Sequence, residues 1–217
     1  MGALSTLTNS YTRTDTGTDT PTPALLAAVW ACLNGTLIRR QGKKPVPLAG
    51  AGMTDEQLAA LAGKALTWIR DTCAVQVLPA TFTMNLDGAK FPMDAGTGTA
   101  APIVLPLGPA TAAAIVYTRV GGEVGGMQLQ PIIRGHMLCA PGSAWPVPAA
   151  PPEGVVPDIT VKWSAGCDGI IPALVVMAIA ELAGLWLTGP EAVSIDQVNA
   201  QRPRVVGQYL ALFMRGG

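Results

Sequence analysis

Apolar positions along this chain recur with two different periods, and the change of period marks its organisation. Thr22-Pro23 has the form of an N-cap followed by proline in the first helical turn. Leu25, Leu26, Val29, Trp30 and Leu33 then share one helical face before Asn34-Gly35. The spacing predicts a first amphipathic helix over 23–33. Thr54 and Gln57 have the spacing of a capping box, and Leu58, Leu61, Ala65, Trp68, Ile69 and Thr72 follow at helical spacing, with Lys64, Arg70 and Asp71 turned elsewhere. A second helix is predicted over 54–73.

From Val75 to Ser164 the period falls to two. Candidate strands are Val75 with Val77, Thr81 to Leu86, Ile103 to Leu105, Ala114 to Thr118, Gln128 to Ile133, Met137 to Cys139 and Ile159 to Trp163, punctuated by glycine and proline. Pro172 then opens an apolar helix that Gly189-Pro190 ends. Pro203 starts a last short helix in which Val205, Val206, Tyr209, Leu210 and Phe213 share a face; about ten residues of helix are not stable alone in water, so that face must dock on something. The predicted class is α+β: a small helical bundle of two N-terminal helices and a long helix in the C-terminal half, with an inserted antiparallel β-sheet and extended N- and C-terminal arms. The pattern implies a single domain over 1–217, divided into an extended arm at 1–21, a helical part at 22–74, a β-rich insertion at 75–165, a core helix at 166–190 and a tail at 191–217.

Threonine at 6, 8, 12, 14, 16, 18 and 20 gives the arm the two-residue spacing of an extended strand. A polar arm needs a holder, and a neighbouring subunit is the simplest one. The run from Ile170 to Leu187 approaches the length of a membrane span, but Glu181 sits within it, Pro172 near its start, and neither flank carries Lys/Arg clusters. A helix buried on nearly all sides is expected, and no membrane.

Composition sharpens this picture. Fourteen basic and fourteen acidic residues cancel, and only 13% of 217 residues are charged against 49% hydrophobic. Such a surface favours a chain covered by neighbours, and the balance gives no strong nucleic-acid footprint. The basic stretch Arg39, Arg40, Lys43 and Lys44 is a solvated loop or a contact to DNA phosphates or an acidic partner. Cys32, Cys73, Cys139 and Cys167 are widely spaced, as expected of inert core thiols in a reducing cytosol, and the start of the chain lacks the pattern of a secretory signal.

No catalytic constellation emerges, so no enzyme, cofactor or metal is expected. His136, the single histidine, has Arg134 nearby but no acid or nucleophile beside it, and reads as structural. Gly96-Thr97-Gly98-Thr99 lacks the third glycine of a dinucleotide turn and leads into Pro102, not into a helix. Asp87, Asp94, Glu123 and Asp168 suit turns. Trp30, Trp68, Trp163 and Trp186 fall on apolar faces. Trp145, in Pro141-Gly142-Ser143-Ala144-Trp145-Pro146, either plugs a crevice of its own domain or anchors a subunit contact.

The order of Trp145-Pro146, then Asp158 to Gly166 (DITVKWSAG), then Ile171-Pro172-Ala173 to Trp186 resembles the head-tail connector (adaptor) family of tailed phages and gene-transfer particles. The resemblance covers roughly 54–190. Cys167 stands where an aromatic commonly follows Ala-Gly, and Thr188 to Glu191 replaces the usual charged helix end. It implies a homo-oligomeric ring, usually of twelve copies, in the virion neck and assembled in the host cytoplasm. The ring would sit on the portal protein and receive a stopper or tail terminator, with double-stranded DNA passing through its lumen without sequence-specific binding. Trp145, Arg202, Arg204, Tyr209, Leu210, Leu212, Phe213 and Met214 are the candidate contacts to the portal or to neighbouring subunits. The competing reading is another neck or tail-completion protein, a stopper or tail terminator; such proteins are expected to be mostly β, with less helix.

Overall fold

The capping box read from Thr54 and Gln57 closes in the computed structural model of the chain, which describes residues 11–17, 19–35, 37–38, 46–47, 53–86, 90–94, 96–117, 127–148, 159–167 and 169–188. The Thr54 hydroxyl accepts from the Gln57 N–H (3.2 Å) while the Gln57 side-chain oxygen accepts from the Thr54 N–H (3.1 Å). Two otherwise orphaned amide donors are thereby satisfied. Asp55 and Glu56 lie in the first turn and Arg70 in the last, complementing the helix dipole, and Ala74 ends the helix in the left-handed region at φ 56°.

In chain order the elements are β1 (Tyr11–Arg13), α1 (Pro23–Gly35), β2 (Leu37–Ile38), β3 (Val46–Pro47), α2 (Asp55–Cys73), β4 (Ala80–Asn85), β5 (Ile103–Val104), β6 (Ala110–Tyr117), β7 (Met127–Leu129), β8 (Ile132–Arg134), β9 (Met137–Cys139), β10 (Thr160–Ala165) and α3 (Ala173–Thr188). The class is α+β, as the two periods predict. The elements fall into two compact units, Met1–Gly17 with Pro79–Gly166 and Thr18–Leu78 with Cys167–Gly217.

The helical unit is built on α1, α2 and α3. Thr22 caps α1 by accepting from the Leu25 N–H, with Pro23 in the first turn. Val29, Leu33, Ala62, Ile69, Ile179 and Leu182 are its fully buried centre. α1 carries no charged side chain and α3 only Glu181. No helix among the described residues is long and apolar enough to cross a membrane. Val75 and Val77 were expected in a strand but form none: Gln76 and Leu78 between and beside them are equally buried, and the Val77 carbonyl accepts from the Cys167 N–H (2.8 Å).

The β-rich unit holds a five-stranded sheet of order β1-β4-β10-β6-β7 and a three-stranded sheet of order β5-β9-β8, all pairs antiparallel. Along β10, Trp163 stands opposite Phe82 and Ala113, and Val161 opposite Met84 and Ile115; these inward residues are buried, while Thr160, Lys162 and Ser164 alternate onto the other face. The run from Gln128 to Ile133 divides between two sheets, with β7 in one and β8 in the other. Pro131 intervenes, and without an N–H it cannot continue a ladder. β6 begins at Ala110, ahead of the expected Ala114, because its alanines carry little strand signal. Residues 11–13 of the threonine arm pair with β4 of the same chain, so their holder is intramolecular.

Candidate functional site

Aromatic side chains organise the β-rich unit. Trp145 is only 8% exposed: its indole stacks on Phe91, and its Nε1 donates to the Ala101 carbonyl (2.7 Å). Phe91 in turn meets Tyr117 edge-on. Trp145 therefore plugs a crevice of its own unit, and its polar atom is spent there. Trp163 stacks on Phe82 and donates from Nε1 to the Leu107 carbonyl (3.1 Å). In the helical unit Lys64 Nζ lies 4.4 Å from the centre of the Trp186 ring, a cation–π contact.

The end of β1 is held by a carboxylate. Asp15 accepts from the Thr81 N–H, from Arg13 Nε (2.7 Å) and from the Gly17 N–H (2.8 Å), and the Thr14 N–H donates to the Thr81 carbonyl. Burial pushes the Asp15 carboxyl up, but the Thr81 amide, the Arg13 guanidinium and the Gly17 amide together hold it below its ordinary value. Tyr11, at the other end of β1, packs its ring on Phe82 and Trp163. Sequence reasoning missed this anchor. The Asp-x-Gly spacing of 15 and 17 and the aromatic at 11 were its only local signals.

His136 sits in the turn between β8 and β9, where Gly135 takes φ 60° and the His136 carbonyl accepts from the Leu105 N–H (2.7 Å). A side chain at Gly108 would come within 2.9 Å of the His136 Cβ, so the strands close over this turn only with glycine there. Asp94 accepts from the Gly96 and Thr97 N–H groups, which holds its carboxyl below the ordinary value. The carboxylate is therefore occupied by its own turn.

A shallow depression in the helical unit is lined by Asp19, Leu66, Arg70, Gln76, Val77 and Leu78. It is filled by its own polar network: Arg70 donates to Asp19, and the Gln76 amide donates to Asp19 (3.1 Å) and to the Leu78 carbonyl (2.7 Å). Among the described residues no three His, Cys, Asp or Glu side chains gather as a metal site. None of the four cysteines is in a disulfide, and burial pushes the Cys167 thiol up. Arg39, Arg40, Lys43, Lys44, Arg202, Arg204, Tyr209, Leu210, Leu212, Phe213 and Met214 lie outside the described residues.

No protein-family model and no curated protein sequence matches the chain. Solved structures share its fold. A chain of "Virion of native gene transfer agent (GTA) particle" superposes with a TM-score of 0.55 at 16% identity, over 85% of this chain and 87% of that one. A chain of "Neck of empty GTA particle computed with C6 symmetry" does so with a TM-score of 0.53 at 15% identity, over the same shares. The fold is thus one found in the necks of gene transfer agent particles.

Proposed function

We propose that this chain is a structural head-tail adaptor, forming a ring in the neck of a phage-like particle between the portal and the next neck or tail protein, with DNA passing through its lumen. The observation that carries the reading is the likeness of fold to a neck chain across 85% of the sequence, covering both the helical and the β-rich unit. It agrees with the resemblance of the stretch from Trp145 to Trp186. The three-helix unit favours an adaptor over a stopper or tail terminator, for which a mostly β chain is expected.

In this reading cohesion comes from apolar surface and extended segments, not from catalytic groups. The C-terminal segment docks on the portal, with Tyr209, Leu210, Leu212, Phe213 and Met214 as the apolar face and Arg202 and Arg204 beside it. Arg39, Arg40, Lys43 and Lys44 touch DNA phosphates or an acidic partner. A near-neutral chain suits a lumen through which DNA must slide, because strong phosphate binding would hold it.

Electron microscopy of particles carrying a tagged copy of the chain tests the reading. A ring of tag density between head vertex and tail is expected, and tag confined to the capsid shell or tail tube would refute it. Deleting 203–217 should abolish portal binding; undiminished binding would remove the docking assignment alone.

A further inference from the structure

The three-stranded sheet has two unlike faces. Ile103, Leu138 and Ile133 turn into the core of the β-rich unit, and strand alternation puts Val104, Met137, Cys139, Ile132 and Arg134 on the other face. Val104 is 59% exposed and Ile132 46%, with Met137 and Cys139 half-buried on the strand between them. Single exposed apolar residues are ordinary, but four on one sheet face form a patch of the kind that marks an interaction surface.

The exposed side of α3 has the complementary make-up. Ala173, Met177 and Glu181 recur every four residues and are exposed, while Val176, Ala178, Ala180 and Leu182 beside them are buried. Glu181 is the single charge on α3, and Arg134 the single charge on the strands of the small sheet. Neither has an ion-pair partner among the described residues. The dimensions agree as well. Val104, Met137 and Arg134 stand opposite one another across three strands, a row of about 10 Å at about 4.8 Å per strand. Ala173 to Glu181 spans about 12 Å at about 1.5 Å per residue.

We infer that α3 of one copy lies along this row on the small sheet of a second copy, with Glu181 paired to Arg134, Met177 on Met137 and Ala173 towards Val104. Helix and sheet are different surfaces of one chain, so the contact is heterologous: each copy offers its helix to the next, which closes into a ring and does not stop at a dimer. The apolar residues supply the buried area, and the single charge pair sets the register and rejects wrong partners. The inference rests on the ring reading proposed above and says how neighbouring copies are joined.

The test compares assembly of the full-length native chain with R134E, with E181R and with the double variant, by mass photometry over a concentration series. Each single reversal should weaken assembly about tenfold or more, by setting like charges against each other, and the double variant should recover it. A mixture of the two single variants should also assemble, since alternating copies restore opposite charges at every contact; a pair within one chain gives no such recovery. Both positions are exposed, so the melting temperatures of the unassembled variants should match the native chain to within a few degrees. Rings that tolerate both reversals, a loss confined to one of them, or a loss that neither the double variant nor the mixture recovers overturns the helix-on-sheet contact and leaves the ring reading standing. A native chain that is monomeric at every concentration and missing from purified necks overturns both.

Discussion

The indole of Trp145 lies face to face with the ring of Phe91, their centroids 5.1 Å apart and their planes 9° from parallel. Phe91 meets Tyr117 at 80°, so one aromatic cluster ties the Pro/Gly loop around Trp145 to the end of β6. Trp145→Ala should cost about 3–5 kcal/mol, since it removes the stack and opens a cavity. Trp145→Phe should cost less, retaining the ring but losing the hydrogen bond to Ala101, on the order of 1 kcal/mol. Urea unfolding of the two variants gives the comparison; a near-neutral Trp145→Ala would show that other contacts hold the loop.

The capping box makes a smaller claim. Thr54→Ala should destabilise the chain by about 1 kcal/mol, and Thr54→Ser should recover most of it, because serine keeps the hydroxyl acceptor for Gln57. Thermal melts at one protein concentration separate the three chains.

Asp15 should make the β1 anchor acid-labile. Its carboxyl is held below the ordinary 3.8 in the folded state, so the stabilisation is present above that value and is lost as pH falls through the lower folded value. Hydrogen exchange at Thr14 and Thr81, corrected for intrinsic rates, should accelerate in acid more than exchange at Val161 in β10. Asp15→Asn should accelerate it already at neutral pH, with a difference from the native chain that shrinks in acid.

Glu181 carries the opposite sign. Its side chain is exposed on α3, yet partial desolvation by the surrounding apolar residues pushes its carboxyl above the ordinary 4.5, so ionisation carries a small cost, screened by water, once pH rises past that value. Glu181→Gln should raise the melting temperature of the unassembled chain only slightly near pH 7, because the side chain is exposed, and leave it unchanged near pH 3. A lower melting temperature near pH 7 would mean that the carboxylate has a stabilising partner.

What was legible in the sequence was whatever its neighbours in the chain decide. The helix over 55–73 follows from a cap and a periodic face within one segment, and α3 from a run of apolar residues opened by Pro172. Strand positions with β-branched or aromatic residues were legible too, as in Thr81 to Asn85 and Thr160 to Trp163. Choices that depend on distant partners were not. Whether Trp145 points in or out is decided by Phe91, 54 positions upstream, and the arm's holder by the edge of β4. Pro131 was visible, but only the pairing of β7 with β6 and of β8 with β9 reveals that it divides two sheets. The basic loop and the C-terminal face drew attention through charge and periodicity alone and lie outside the described residues.

The chain passes between its two units three times, at Gly17–Thr18, Leu78–Pro79 and Gly166–Cys167. During synthesis this imposes an order. β4 and β6 emerge well before β10, the strand that sits between them, and α1 and α2 wait longer still for α3. The β-rich core therefore stays open until about three quarters of the chain has been made and the helical core until more than about four fifths, so a ribosome stalled before residue 160 would present two half-built surfaces at once. Such a nascent chain is an obvious client for chaperones, and fragments ending before α3 should be cleared by proteases and not accumulate.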